Sequence, residues 1–199
     1  MQKIQDGESY VEQTFSRLSL VDGHFMGIEF EDCTFEHCDF SGAHFSRCKF
    51  IDCTFKHCNL SLMQVPSTRW FGVSFTECKL VGVDWTKADW PVFHLDSELS
   101  FKQCILNDAS FFGLTLQELT LDECKCHEVD FREGDFSSSS MTHCDFTNSV
   151  FMRTNLQRVD FAESVNFNID VLENKIDSAK FSRYEALSLL YSLNIELVD

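Results

Sequence analysis

Apolar residues in this chain recur at every fifth position. Tyr10, Phe15, Leu20, Phe25, Phe30, Phe35, Phe40, Phe45, Phe50, Phe55 and Leu60 are eleven consecutive members of one frame. At 44% apolar composition, a given frame would show such a run by chance on the order of once in ten thousand tries. After an untidy stretch the frame returns at Trp70, Phe75, Leu80, Trp85 and Trp90. It then slips by one and continues through thirteen members: Phe101, Leu106, Phe111, Leu116, Leu121, Cys126, Phe131, Phe136, Met141, Phe146, Phe151, Leu156 and Phe161. Neither a helix, with a period of 3.6, nor a strand, with a period of 2, produces a spacing of five.

The frame absorbs the odd composition. Of 21 phenylalanines, 17 are frame centres, and nine of the ten cysteines lie two residues before a centre. Elsewhere that earlier position holds Ala43, Val73, Val83, Ala109 or Val129. In extended backbone, residues two apart point to the same side, so the small residue and the centre both point inward. The remaining three positions are polar and turn a corner. One such unit buries too little to stand alone. Many in succession form a solenoid whose coils stabilise one another.

The units CDFSG (38–42), VDWTK (83–87), CDFTN (144–148), TNLQR (154–158) and VDFAE (159–163) resemble the pentapeptide-repeat family. The resemblance spans residues 10–181. It implies an all-β solenoid, a right-handed quadrilateral β-helix with four pentapeptides per coil. Cys38, Cys58 and Cys78 are twenty residues apart, as are Cys104, Cys124 and Cys144, consistent with a twenty-residue coil. Eight or nine coils at a strand spacing of ~4.8 Å make a rod about 40 Å long.

Residues 1–181 are therefore expected to form the solenoid and 182–199 a separate terminal element. Two interruptions, 61–70 with Pro66 and 91–100 with Pro91, read as bulges or short loops leaving the rod. In the tail, Ser182 and Glu185 have capping-box spacing, and Ala186, Leu187, Leu190 and Leu193 follow at helical spacing. This predicts a C-terminal α-helix that covers the open end of the rod, ending at Asn194, then a short strand around Ile195 and Leu197.

Sites of bond-making chemistry are not indicated. His37–Cys38, His57–Cys58 and CKCH (124–127) look like metal ligands, but the repeat turns the cysteines inward and the neighbouring histidines outward. The ten cysteines read as small buried apolar residues rather than ligands or disulfides. Acidic pairs such as Glu31–Asp32 fall at outward corners. No cofactor, metal or catalytic residue is expected, and the chain is expected not to be an enzyme. The first residues lack an apolar run, which predicts a cytoplasmic protein with reduced thiols. A formal net charge of −16 argues against direct contact with nucleic acid or an anionic membrane.

The tail also resembles the C-terminal helix of the Qnr quinolone-resistance proteins and their relatives among microcin and albicidin self-immunity proteins. That resemblance implies a homodimer through Leu187, Leu190, Tyr191, Leu193, Ile195 and Leu197. It also implies DNA mimicry: an acidic rod occupying the DNA-binding surface of a bacterial type II topoisomerase such as DNA gyrase, with resistance to quinolones or a gyrase toxin. The expected acidic surface is Glu29, Asp39, Asp84, Asp89, Asp130, Asp135, Asp145 and Asp160. The alternative is a general interaction scaffold for another protein. The best-known Qnr proteins carry sizeable projecting loops. This chain has two modest interruptions, which weakens the case for quinolone protection.

Overall fold

A computed structural model describes residues 4–90, 99–195 and 198. The chain winds as a stack of parallel coils with four faces. The first face aligns Tyr10, Phe30, Phe50 and Trp70 through the strands Ser9–Val11, Glu29–Glu31, Lys49–Ile51 and Arg69–Phe71. The second is a nine-stranded sheet running from Thr14–Ser16 to Lys180–Phe181. The third is a column of single bridges from Ser19 through Asp39, Asn59, Lys79, Ile105, Lys125 and Asp145 to Val165. The fourth begins with His24–Met26 paired to His44–Ser46 and continues through Asp84, Ser110, Asp130 and Val150. Every pairing is parallel, and partners are twenty residues apart over most of the length. The second face sets the length of the rod, about 38 Å for eight steps of ~4.8 Å.

The predicted inward pair fills the axis. Phe35, Phe40, Phe55, Cys38, Cys53 and Cys58 are all essentially excluded from water. Rings stack face to face along the axis, as at Phe35 and Phe55 (4.6 Å, 12°) and at Phe111 and Phe131 (5.5 Å, 2°). Around each coil they meet edge to face, as at Phe30 and Phe35 (5.2 Å, 78°). Both are favoured ring geometries, so one residue type satisfies contacts in two directions.

The position two before each centre does more than fill space. The Cys38 and Cys58 thiols donate to the carbonyls of Phe15 and Phe35 in the preceding coil, each at 3.4 Å. The Cys38 N–H in turn donates to the Cys58 sulfur (3.4 Å). Thr68 and Ser164 make the same bonds with hydroxyls, to Phe45 (2.8 Å) and Met141 (2.7 Å). Small size is the requirement, met by Ala43 and Val73 without such bonds, and cysteine adds a donor and an acceptor while remaining apolar.

Corners have a second requirement. The residue two after nearly every described centre has positive φ, +51° to +63° where it is not glycine, from Glu12 and Arg17 through Asp108 and Glu128 to Ser178; Lys87, which ends a short 3₁₀ turn after Trp85, departs from this. Its N–H donates to a carbonyl of the next coil, as Asp32 does to Ile51 (3.0 Å). Left-handed backbone closes the right angle while keeping the ladder intact.

One expectation about irregularity changes. Residues 61–70 do not leave the rod. Met63 and Val65, then Thr68 and Trp70, are two ordinary inward pairs, Arg69 remains in register with Lys49, and the Pro66 carbonyl accepts from the Arg47 N–H (3.0 Å). Pro66 sits where its carbonyl is needed, so it breaks the consensus without breaking the coil. The one-residue slip is a larger event: Phe75 pairs with Phe101, 26 residues on, so six residues are added to one coil. They fall at 91–98, outside the described residues, and the rod has resumed at the buried Leu99.

The terminal element differs in kind. Glu185–Leu193 is a 3₁₀ helix rather than an α-helix. The capping box does not form. The Ser182 hydroxyl accepts from the Glu163 N–H (2.8 Å) and donates to the Glu163 carboxylate (3.1 Å), holding the last coil instead. Asn194 does end the helix in the left-handed conformation. Ile195 lies in no strand, and Leu197 is outside the described residues.

Candidate interaction surface

Outward side chains come from three places in each unit: one residue before the centre, one after it, and the corner. The eight acids singled out from sequence all precede a centre, and the coil distributes them over four faces. Glu29, Asp89 and Asp135 lie on the first face, Asp160 on the second, Asp39 and Asp145 on the third, Asp84 and Asp130 on the fourth. They do not form one surface.

Most of them are occupied by the fold. The Asp39, Asp84 and Asp145 carboxylates accept from the N–H and hydroxyl of Ser41, Thr86 and Thr147, respectively, two residues on. Glu29 pairs with Lys49, Asp89 with Arg69, Asp84 with Lys87, Asp130 with Arg132, Asp160 with Lys180, and Asp145 with His127. Burial works against ionisation of Asp145, but hydrogen bonds from Asn166, Thr147 and His127 hold its carboxyl well below the usual range. The Arg132 guanidinium lowers Asp130 in the same sense. The aspartate of the repeat is first a turn-forming group.

The corners carry a further share of the negative charge, which the expected acidic surface left out although Asp32 was already placed at a corner. Of the 26 non-glycine residues with positive φ among the described residues, eleven are acidic and four are arginine. Glu12, Asp32 and Asp52 follow one another on successive coils along one long edge, and Asp22, and further along Asp108 and Glu128, lie on the diagonally opposite edge. None of these six has an ion-pair partner among the described residues. The signal was present in the sequence as acids two after a centre, but choosing them requires knowing which position makes the corner.

Other candidates are placed plainly. All ten cysteines are buried free thiols, and burial raises Cys33, Cys48 and Cys126, and Cys53 to about 12. His37 and His57 stack outside the rod at 4.7 Å while Cys38 and Cys58 point into it. Among the described residues, no group of three or more His, Cys, Asp or Glu side chains is arranged to hold a metal ion. Nor is any described helix long and apolar enough to cross a membrane. At the C-terminal end, Ala186 and Leu189 close onto the core, with Leu189 the buried member. Leu187, Tyr191, Leu193 and Ile195 are exposed, as are Leu172 and Tyr184, and Leu190 is half-buried.

A parallel four-sided solenoid with an inward pair in successive five-residue units defines a β-helical repeat protein. The chain belongs to the pentapeptide-repeat family: family models described as pentapeptide repeat region and pentapeptide repeats match residues 28–97 and 130–165, together just over half of it. The fold is that of QnrB1, a plasmid-mediated fluoroquinolone resistance protein. A trypsin-treated variant is 21% identical and gives a TM-score of 0.66, with 98% of each chain covered. Full-length QnrB1 is likewise 21% identical and gives 0.54, covering 94% of this chain and 100% of its own. No curated protein matches the chain in sequence.

Proposed function

We propose that this protein is a non-catalytic mimic of duplex DNA that binds a type II topoisomerase, DNA gyrase, as a homodimer and tempers the action of a gyrase-directed drug or toxin. The observation that carries this reading is the row of unpaired corner carboxylates along the rod. A net charge of −16 over about 38 Å is one charge per ~2.4 Å, close to the one per ~1.7 Å of B-DNA. An ordinary acidic protein spreads such charge over a sphere. Here the coil sets part of it in axial rows, with Glu12, Asp32 and Asp52 one coil spacing apart on one edge and Asp108 and Glu128 on the opposite edge. The likeness to QnrB1 over nearly the whole length adds the same shape in a resistance protein.

Dimerisation rests on the exposed apolar end. Leu187, Tyr191, Leu193 and Ile195 lie together beyond the cap, where a two-fold mate would cover them and double the rod. Leu190 would lie at the margin between cap and interface.

The test is gyrase supercoiling with purified protein, with and without quinolone, at low salt. Inhibition or protection that fades as salt rises supports the reading. Absence of binding, inhibition and protection overturns it, and capture of a different specific partner would favour the scaffold alternative. Sedimentation of Tyr191→Arg beside the wild type tests the dimer: the wild type should run as a dimer and the variant as a monomer.

A further inference from the structure

Along the chain, His37 and His57 each adjoin a cysteine that points the other way. Across coils they meet each other. Both occupy the left-handed corner between the second and third faces, with φ of +53° and +52°, and Glu77 takes the same corner one coil further on, also at +52°. The backbone N–H groups of the three donate to the carbonyls of Lys56, Thr76 and Lys102 at 2.9, 3.0 and 2.9 Å, so their backbones are held one coil spacing apart. All three side chains are exposed. The two imidazoles are parallel, with centroids 4.7 Å apart and planes 6° apart. The His57 Nδ1 lies 3.2 Å from the Glu77 Oε2. A carboxylate only accepts, so this nitrogen carries the ring proton and Nε2 is left as the basic nitrogen. A second pair, His24 and His44, stacks more widely on the fourth face, at 5.6 Å, and there the His24 Nδ1 meets the Asp22 carbonyl (3.1 Å).

The geometry points to a two-histidine site for a borderline divalent metal ion such as Zn²⁺, with His37 and His57 as ligands through Nε2 and Glu77 orienting the His57 ring. Zn–N bonds of about 2.0–2.1 Å at a tetrahedral angle put two ligand nitrogens about 3.3 Å apart. Exposed imidazoles that start parallel at 4.7 Å reach this by tilting toward each other about their side-chain torsions, with the backbone unmoved. For His24 and His44 the gap to close is wider. Donation of Nδ1–H to a carboxylate fixes the tautomer of a ligand histidine and raises its basicity, and Glu77 is placed to receive it. Imidazole nitrogen suits Zn²⁺, Cu²⁺ and Ni²⁺, whereas Mg²⁺ and Ca²⁺ take oxygen ligands. Water completes the coordination, so the site calls for no third protein ligand. The net charge of −16 attracts any cation, and the histidine pair supplies the selection. A bound ion would tie two neighbouring coils together on the outside of the rod. The pair lies on a different edge from the rows of unpaired corner acids and does not depend on the topoisomerase reading.

The experiment is NMR of the histidine ring C–H groups in the full chain at about pH 7.5, where imidazoles are mostly neutral, titrated with ZnCl₂ to about 1 mM. The His37 and His57 resonances should move together along one binding curve, at lower Zn²⁺ than those of His24 and His44. MgCl₂ at the same concentrations should leave them in place. His37→Asn and His57→Asn should each abolish the response of the remaining ring. Asparagine tolerates the left-handed corner, so the fold persists in both, as judged by unchanged amide spectra of the second face. Glu77→Gln should weaken Zn²⁺ binding about tenfold. No movement of the two rings by about 1 mM Zn²⁺ would overturn the proposal. So would movement that Mg²⁺ reproduces, an equal response at His24 and His44, or a His37 response undiminished in His57→Asn. Unchanged affinity in Glu77→Gln would overturn the role given to Glu77.

Discussion

A single cysteine of this rod is both a packing atom and a hydrogen-bonding group. Cys58 donates to Phe35 and accepts from Cys38, a pair of bonds that a hydroxyl reproduces at Ser164. Cys58→Ser should therefore cost about 1 kcal/mol or less in urea unfolding. Cys58→Leu loses both bonds and overfills the axis, for about 1–3 kcal/mol. With every thiol buried, a thiol reagent should find none of the ten on the native protein and all ten in denaturant. Carboxylates give a second prediction. Asp122, held low by Lys102, and Asp130, held low by Arg132, join Asp145 in having depressed values in the folded state. Depressed folded values stabilise above the ordinary carboxylate range and lose that contribution as pH falls through them. Stability should drop below about pH 4. Asp145→Asn should cost about 1 kcal/mol at pH 7 and less at pH 3, read from chemical denaturation at both.

A corner is defined by its backbone. At Glu128, φ is +57° and the side chain is exposed, so substitution there tests conformation and not packing. Glu128→Val should destabilise by about 1–2 kcal/mol, and Glu128→Gly should not. At Gly72 (φ +62°) an added Cβ would also overlap the Asp52 carboxylate one coil below, so Gly72→Ala should cost more than the same change at the open Gly113. Within the stack, Phe131 lies between Phe111 (5.5 Å) and Phe151 (4.9 Å), and Phe131→Ala should cost about 3–5 kcal/mol by thermal or urea unfolding.

The assembled rod concentrates like charge along its edges. Self-repulsion there should make the protein more stable as salt rises from about 10 mM to about 200 mM, even as any partner bound through those edges is released. A rise in melting temperature together with a fall in affinity across one salt series would separate the two effects. A protein whose affinity ignored salt would not be acting through its corner carboxylates.

The five-residue spacing of Phe40, Phe45 and Phe50, with Cys38 and Cys48 two before, was enough to specify the inward pair and a solenoid, because alternation and burial are local properties of the chain; four units per coil, and with them the rod length, came from the family resemblance. The sequence also placed Asn194 at the end of the last helix. It could not say that Pro66 is harmless, since that depends on an Arg47 N–H nineteen residues away. Nor could it size the insertion before Phe101, because a frame slip reveals a length only modulo five. The pairing of the acids emerged only on folding. Which carboxylate is paired is a fact about the neighbouring coil, and the neighbour is twenty residues distant in the chain.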